Sequence, residues 1–474
     1  MAYQRDKENI SEWYLETLKE AEIFDYGPVK GTIIFKPYGY ALWENIQKIL
    51  DKFIKEEIGA LNSYFPIFIP EGFLKKEKEH LEGFSPEVAV VTYAGGEELS
   101  EKLIVKPTSE TIMYDAFSRW IKSYRDLPLI VNQWCNVIRW EKRPFPFLRN
   151  TEFLWQEGHG AHATHENSLE TVLKALDVYL RVYQKYLGIF GFPGQKSESE
   201  KFAGAFKTFT YEILMPDGKA LQGCTSHDLG QNFSIPFEIR FQDRDMSLKY
   251  VWQNSWGFST RSLGALFMVH GDEYGLILPP KIAPYEFVLI PIYDGKNDEK
   301  IDIFAKKTIE ILKEKNFSVF YDISEETPGF KFNKWELKGA PFRLEIGKKE
   351  IEEKKITLFR RDTREKINLS LEKILESITK LEEEYLSNLF EKSKKFTLEN
   401  LFEVNSYEEF KKIMEEKRGF LSAFWCEKEE CENKIKEETK ASTRCLPLNF
   451  KEEKGKCIYC QKEAKRRWLF AQSY

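Results

Sequence analysis

Apolar residues recur at helical spacing between Tyr38 and Ile58, where Leu42, Ile46, Ile49, Leu50 and Phe53 share one stripe after Pro37. Proline's fixed φ suits a first helical turn, so a helix is predicted here, preceded by the strand-like GTIIFKP. Further on, Val137, Arg139 and Glu141 alternate in a way that predicts a strand with both charges on one face. Pro144-Phe145-Pro146 breaks that strand, and WQEGH (155–159) reads as its antiparallel return. A Pro-rich break at 278–284 precedes a new run of alternation: FVLIPIY (287–293), a helix near 298–315, FSVFYD (317–322), FRLEIG (342–347) and ITLFRR (356–361). Strands separated by helices predict a small α/β domain. Ile374, Leu375, Ile378, Leu381, Tyr385 and Leu389 then share one stripe, predicting a helix from Leu371 to about Phe390.

Bulk properties narrow the possibilities only a little. A chain of 474 residues can hold two to four domains, and 42% hydrophobic with 31% charged residues describes a water-exposed protein with sizeable cores. No apolar run reaches the roughly 18 residues of a membrane span, and MAYQRDKENISEW lacks the apolar heart of a signal peptide. A cytoplasmic location is the expectation. The net charge of −5 does not announce a nucleic-acid binder, so such a partner would need a local patch. Residues 331–366 offer one, with 12 Lys/Arg against 7 Asp/Glu, although a solvated face of mixed charge has the same composition.

Four blocks carry chemistry. KPTSET (106–111) comes first, then the R-x-E of Arg139 and Glu141 with Arg149 in the following loop. LQGCTSHDLGQNFS (221–234) and NSWGFSTRSLG (254–264) follow. A rigid strand pair can hold a planar guanidinium against a phosphate, which a preorganised nucleotide site requires. Alone, R-x-E means only a wet face or an internal ion pair. His159, His162 and His165 are three apart, but Gly and Ala interrupt them and a fourth ligand is missing; His162 and His165 are expected to be exposed. Near the C-terminus, Cys426-x4-Cys431 and Cys457-x2-Cys460 form two close thiol pairs, the arrangement of a structural tetrahedral zinc site. The alternative is a set of reduced, partly buried thiols. Cys445 is a spare, and Cys135 and Cys224 read as packing residues.

In order and spacing these blocks resemble the class II aminoacyl-tRNA synthetases, and in detail the prolyl-tRNA synthetase family of archaeal and eukaryotic-like type. The resemblance implies an α+β chain: a class II antiparallel-sheet catalytic domain over residues 1–283, an α/β anticodon-binding domain over 284–389, and a small α/β zinc-binding domain over 390–474. It implies an ATP-dependent ligase that forms prolyl-adenylate, expels pyrophosphate and transfers proline to tRNA(Pro). GTIIFKP and its helix resemble motif 1, which implies a homodimer. Arg139 would bridge the α-phosphate and the prolyl carboxylate, and Arg261 would hold the γ-phosphate end. Glu141, Arg149, Asn150, Gln222, Thr225 and Ser259 would complete the ATP site, with Mg2+ near Gln222. Glu110 would face the prolyl ammonium, helped by Thr108. Phe153, Trp155, Glu157, His159 and His227 would wall the ring. Zn2+ would sit on Cys426, Cys431, Cys457 and Cys460. Glu336, Lys338 and Arg343 would read the anticodon, with Arg360, Arg361 and Arg364 on phosphates, and the carboxylate of Tyr474 would approach the active site. Only about 60 residues separate His159 from Gln222, too few for a folded editing domain. Two competing readings remain at this point: a non-catalytic synthetase-like binder, and a ligase for threonine, serine or glycine.

Overall fold

In the computed structural model, residues 9–73 and 88–474 are described, so the first eight residues of MAYQRDKENISEW lie outside them. An eleven-stranded sheet organises the molecule. Its central run consists of Phe192–Gln195, Lys207–Leu214, Ala220–Gly230, Trp252–Ser259, Glu152–His162 and Leu129–Ile138, each antiparallel to its neighbour. The short strand Leu61–Asn62 adds in parallel at one edge.

The helix His165–Lys185 covers one face of this sheet. Tyr179 Oη donates to Gln156 Oε1 at 2.6 Å, Tyr183 Oη to the Gly223 carbonyl at 2.8 Å, and Ser226 Oγ to the Val172 carbonyl at 2.8 Å. Because strand side chains alternate, the neighbours of these residues (Trp155, Glu157, His159, Thr225 and His227) project from the opposite, open face. That alternation sets out the site. Gly158 is forced by packing on the covered face, since a Cβ there would fall 2.1 Å from Trp256 Cη2.

The helix predicted after Pro37 spans Pro37–Phe53 and widens into a π-turn, Ile54–Ile58, ended by Gly59 at φ +77°. The strand predicted around Arg139 ends earlier, at Ile138. Ile138 N–H donates to Lys106 O and Arg139 N–H to Thr151 O, so the chain leaves the sheet where the KPTSET segment crosses it.

Beyond the Pro-rich break, Val319–Tyr321, Phe287–Pro291 and Phe342–Ile346 form a parallel trio. Lys355–Arg360 and Lys366–Ser370 extend it antiparallel, the last strand being one the alternation did not reveal. The helix predicted to stop near Phe390 runs unbroken from Ile374 to Glu399, its apolar stripe extended by Ser393 and Thr397. Small polar residues can be buried in a helix without breaking it, which is why the hydrophobic stripe alone ended too soon.

The last module has its own core of Val404, Phe410, Leu421, Ile435, Trp468 and Phe470. Its strands nevertheless continue the central sheet: Ala441–Pro447 pairs with Phe192–Gln195 through Leu446↔Gln195 and Pro447↔Gly194. Beneath that junction, Glu212 is wholly buried between Lys196 Nζ at 2.7 Å and Arg444 Nη2 at 2.8 Å.

Candidate active site

The open face of the sheet forms the floor of an open cleft. Thr108 and Glu110 enter from the N-terminus of helix Glu110–Trp120, Arg139 from the end of its strand, and Arg261 from the start of helix Arg261–His270. Phe153, Trp155, Glu157, His159, Gln222, Thr225, His227 and Ser259 line it from the strands. Residues from five separate segments thus meet in one cavity.

The two carboxylates of the cleft are tightly specified. Thr108 Oγ1 donates to Glu110 Oε2. Glu157 accepts from Ser109 Oγ, from Gln133 Nε2 at 2.9 Å and from His159 Nε2 at 3.2 Å. Burial by itself would raise the Glu157 pKa, but His159, Lys106 and Ser109 outweigh it and the carboxyl is held below its ordinary value. Tyr114 Oη meets His159 Nδ1 at 3.1 Å, fixing the imidazole from its other side. His227 Nδ1 meets Thr208 Oγ1 at 2.9 Å, and burial, followed by the nearby His159 and Arg139 charges, depresses its pKa to about 3.

The two arginines of the cleft are suited to an anion. Arg139 Nε donates to the Pro107 carbonyl at 3.0 Å, and its guanidinium lies 5.5 Å from the centroids of both Phe153 and Trp155. Its pKa is lowered by burial, an effect that Glu110, Glu157 and Glu141 oppose. Arg261 Nε donates to the Leu148 carbonyl at 3.0 Å; burial and then repulsion from Arg139 lower its pKa to about 10. Two guanidiniums that repel one another across a cleft gain most from a polyanion placed between them.

Several expected residues lie elsewhere. Glu141 and Arg149 pair with each other at 3.2 Å on the loop after the strand, outside the cleft lining. Asn150 is buried and its Oδ1 accepts from Phe147 N–H at 3.2 Å, so it shapes the loop instead of meeting the cleft. His162 is not exposed: it is 3% accessible, and burial lowers its pKa to about 4. His165 is half-buried, stacked on Trp252 and bonded to Asp228 Oδ2 at 2.7 Å. Both sit where the strand hands over to the helix, and packing of that corner buries them. Tyr474 does not reach the cleft lining. Its ring lies over Lys219 Nζ, and its Oη contacts Met268 Sδ at 3.2 Å, behind the helix that carries Arg261.

Among the expected anticodon readers, Arg343 is buried, held by Glu345 Oε1 at 2.8 Å and flanked by the rings of Phe332 and Phe359. Lys338 pairs with Glu22 and Glu336 with Arg364, and both line a surface groove together with Tyr274, Phe330 and Asn333. Arg360 and Arg361 are buried and bound bidentately to Asp362 and Asp272, so they are not phosphate contacts.

Phe202, Glu200, Lys201, Thr208 and Ser255 also line the cleft and were not anticipated. The first three lie in an irregular loop whose sequence, KSESEKF, looks like any solvated turn. The four thiols Cys426, Cys431, Cys457 and Cys460 converge with all Sγ atoms within 4.8 Å of one another. Cys426 Sγ lies 3.6 Å from Cys431 Sγ and 3.7 Å from Cys460 Sγ. Zinc–thiolate bonds of about 2.3 Å in a tetrahedron set sulfurs about 3.8 Å apart, so the donor set fits Zn2+ in type and spacing. Cys445 is not a spare ligand: it packs against Gly194, away from that cluster.

This fold and cleft define a class II aminoacyl-tRNA synthetase: the family described as tRNA synthetase class II core domain (G, H, P, S and T) matches residues 92–270. An anticodon binding domain matches residues 286–381, and the C-terminal domain of prolyl-tRNA synthetase matches 407–474. The chain is 49% identical to Proline--tRNA ligase 2 of Bacillus cereus, covering 100% of this chain and 98% of that one. It is 48% identical to Proline--tRNA ligase of Natranaerobius thermophilus, over 98% and 97% of the two chains. Prolyl-tRNA synthetase from Cryptosporidium parvum, solved with halofuginone and AMPPNP, superposes with a TM-score of 0.95 at 40% identity, over 100% of this chain and 97% of that one. The chain belongs to the prolyl-tRNA synthetase family.

Proposed function

We propose that this chain activates proline with ATP and then esterifies tRNA(Pro). A prolyl carboxylate oxygen attacks the α-phosphorus, the bond to the bridging oxygen breaks, and pyrophosphate leaves. The 3'-terminal hydroxyl of the tRNA then attacks the prolyl carbonyl and releases AMP. Positioning and charge neutralisation are the main demands on the protein. The observation that carries this reading is a single cleft lined by the carboxylates Glu110 and Glu157 and the guanidiniums Arg139 and Arg261, with Arg139 near enough to feel all three of the others. The prolyl ammonium goes to Glu110, supported by Thr108, while Phe153, Trp155, Glu157, His159 and His227 wall its ring. Arg139 spans carboxylate and α-phosphate, Arg261 takes the outer phosphates, and Gln222, Thr225 and Ser259 hold the nucleotide. Mg2+ would accompany the phosphates near Gln222 and add positive charge there. Glu141 and Arg149 stay candidates for nucleotide contact only if their mutual pair opens.

The finer points are part of the same proposal. We divide the chain into catalytic (1–283), anticodon-binding (284–389) and zinc-binding (390–474) domains. Exposed Tyr26, Val29, Ile34 and Tyr40 around the motif 1 segment support a homodimer interface there. Glu336 and Lys338, on their groove, are the better-placed anticodon readers; Arg343 supports them from beneath. The interval from His159 to Gln222 is taken up by helix His165–Lys185 and two sheet strands, which supports the absence of editing in cis. A reducing cytoplasm suits four free cysteines, and among the described residues no helix is long and apolar enough to cross a membrane. ATP–pyrophosphate exchange with each amino acid in turn tests the reading: exchange driven by proline alone supports it, and exchange driven by threonine, serine or glycine, or none at all, refutes it.

A further inference from the structure

The loop Lys196–Phe206 brings Glu200, Lys201 and Phe202 to the cleft, and the C-terminal module grips it from behind. Glu432 is 2% exposed. Its carboxylate accepts from Ser197 Oγ at 3.2 Å and from the hydroxyls of Ser199 and Thr443. One turn further along the helix Glu429–Thr439, Lys436 Nζ reaches Glu200 Oε1 at 3.0 Å. Residues four apart share a helix face, so this face of the module is laid along the loop. A buried carboxylate is tolerated only where its lone pairs are filled, so Glu432 and the loop hydroxyls constrain each other. On the loop's other side, Phe202 N–H donates to Thr208 Oγ1 at 3.0 Å and the Phe202 ring lies 4.8 Å from His227. Cys431, of the four-thiol cluster, is the residue before Glu432.

We propose that Glu432 is a positioning residue for amino-acid binding: through Ser197 and Ser199 it sets the loop that carries Phe202 over the amino-acid end of the cleft. Affinity for the amino acid thereby depends on the cysteine-bearing module, none of whose described residues lines the cleft. The inference rests on the proline-activating reading of the cleft.

The test compares the full-length chain with Glu432→Gln, Lys436→Ala and, as a control on the exposed side of the same helix, Glu437→Gln. Amide hydrogen exchange of peptides spanning 196–206 is measured without substrates, alongside zinc content and the proline and ATP dependence of pyrophosphate exchange. Glu432→Gln is expected to speed amide exchange in that loop and raise the KM for proline roughly tenfold, with the KM for ATP within about twofold and zinc retained. Lys436→Ala should move the same quantities less, and Glu437→Gln should leave them unchanged. Unaltered loop protection in both variants overturns the proposal, as does an equal rise in both KM values. Should Glu432→Gln lose zinc or fail to fold, Lys436→Ala decides alone, because its side chain lies away from the thiols. Wild-type exchange that ignores proline would sink the activity reading, while loop protection would still judge the contact.

Discussion

Ser109 Oγ donates to Glu157 Oε1, so the residue beside Glu110 secures the second acid of the cleft. Thr108 holds Glu110 in the same way, which makes the TSE triplet a clamp on both carboxylates. The acid proposed to meet the ammonium is therefore aimed before substrate arrives, and little ordering cost would remain at binding.

Replacing Glu110 by Gln keeps the shape and removes the charge. A buried ammonium left without its counter-charge is strongly disfavoured, by about 3–5 kcal/mol for comparable buried pairs. Proline-dependent exchange should lose at least about a hundredfold in kcat/KM, with the KM for ATP little changed. Steady-state exchange with each substrate varied separately checks this.

Glu212 joins two modules through its charge. Burial would raise its pKa, but Arg444 and Lys196 overcome that and hold it at about 2, below the ordinary 4.5. A depressed folded-state pKa means its stabilisation is complete above about 4.5 and disappears as pH falls through about 2. Denaturant midpoints of wild type and Glu212→Gln should differ most near neutrality and converge toward pH 2.

His227 also loses stability in acid, but because burial excludes its charge. Burial holds its pKa at about 3 against an ordinary 6.5, so the unfolded chain takes up a proton that the folded chain refuses. Stability should fall as pH drops from 6.5 toward 3, and His227→Gln should flatten that part of the profile. The imidazole resonances of His227, followed by NMR, should not titrate between pH 5 and 8, a range given roughly by histidine's ordinary titration.

The thiol cluster predicts about one zinc per chain in protein purified under reducing conditions. Chelation, or Cys457→Ser, should lower the melting temperature and loosen the 420–474 strands first, because those strands share a core with the cluster. Metal analysis and regional amide exchange follow both effects.

Gly158 faces Trp256 so closely that Gly158→Ala must displace the indole from the helix side of the sheet. Overpacking of this kind costs about 1–3 kcal/mol, and the unfolding midpoint should drop accordingly. A midpoint equal to wild type would show that the indole has room to move.

Much of this was legible in the chain. The helix after Pro37, the β-hairpin bearing WQEGH, the α/β alternation after residue 284 and the two thiol pairs follow from local periodicity, proline chemistry and ligand spacing. Those signals act over a few residues, so they survive without knowledge of the fold. Arg343, Arg360 and Arg361 were legible only as charges. Whether a guanidinium meets RNA or a carboxylate depends on which neighbour folding supplies, and here Glu345, Asp362 and Asp272 are supplied.

By itself, then, the amino-acid order settled the helix after Pro37, the alternation of strands and helices beyond residue 284, and which residues are chemically able to bind phosphate, ammonium or zinc. The tertiary structure alone decided that Phe202 and Glu200 reach the cleft, that His162 and Asn150 do not line it, and that strand Ala441–Pro447 extends the central sheet. The reason is physical: burial is set by how distant segments pack, as Ala441–Pro447 does on Phe192–Gln195 and Lys436 on Glu200, and no local pattern encodes that packing.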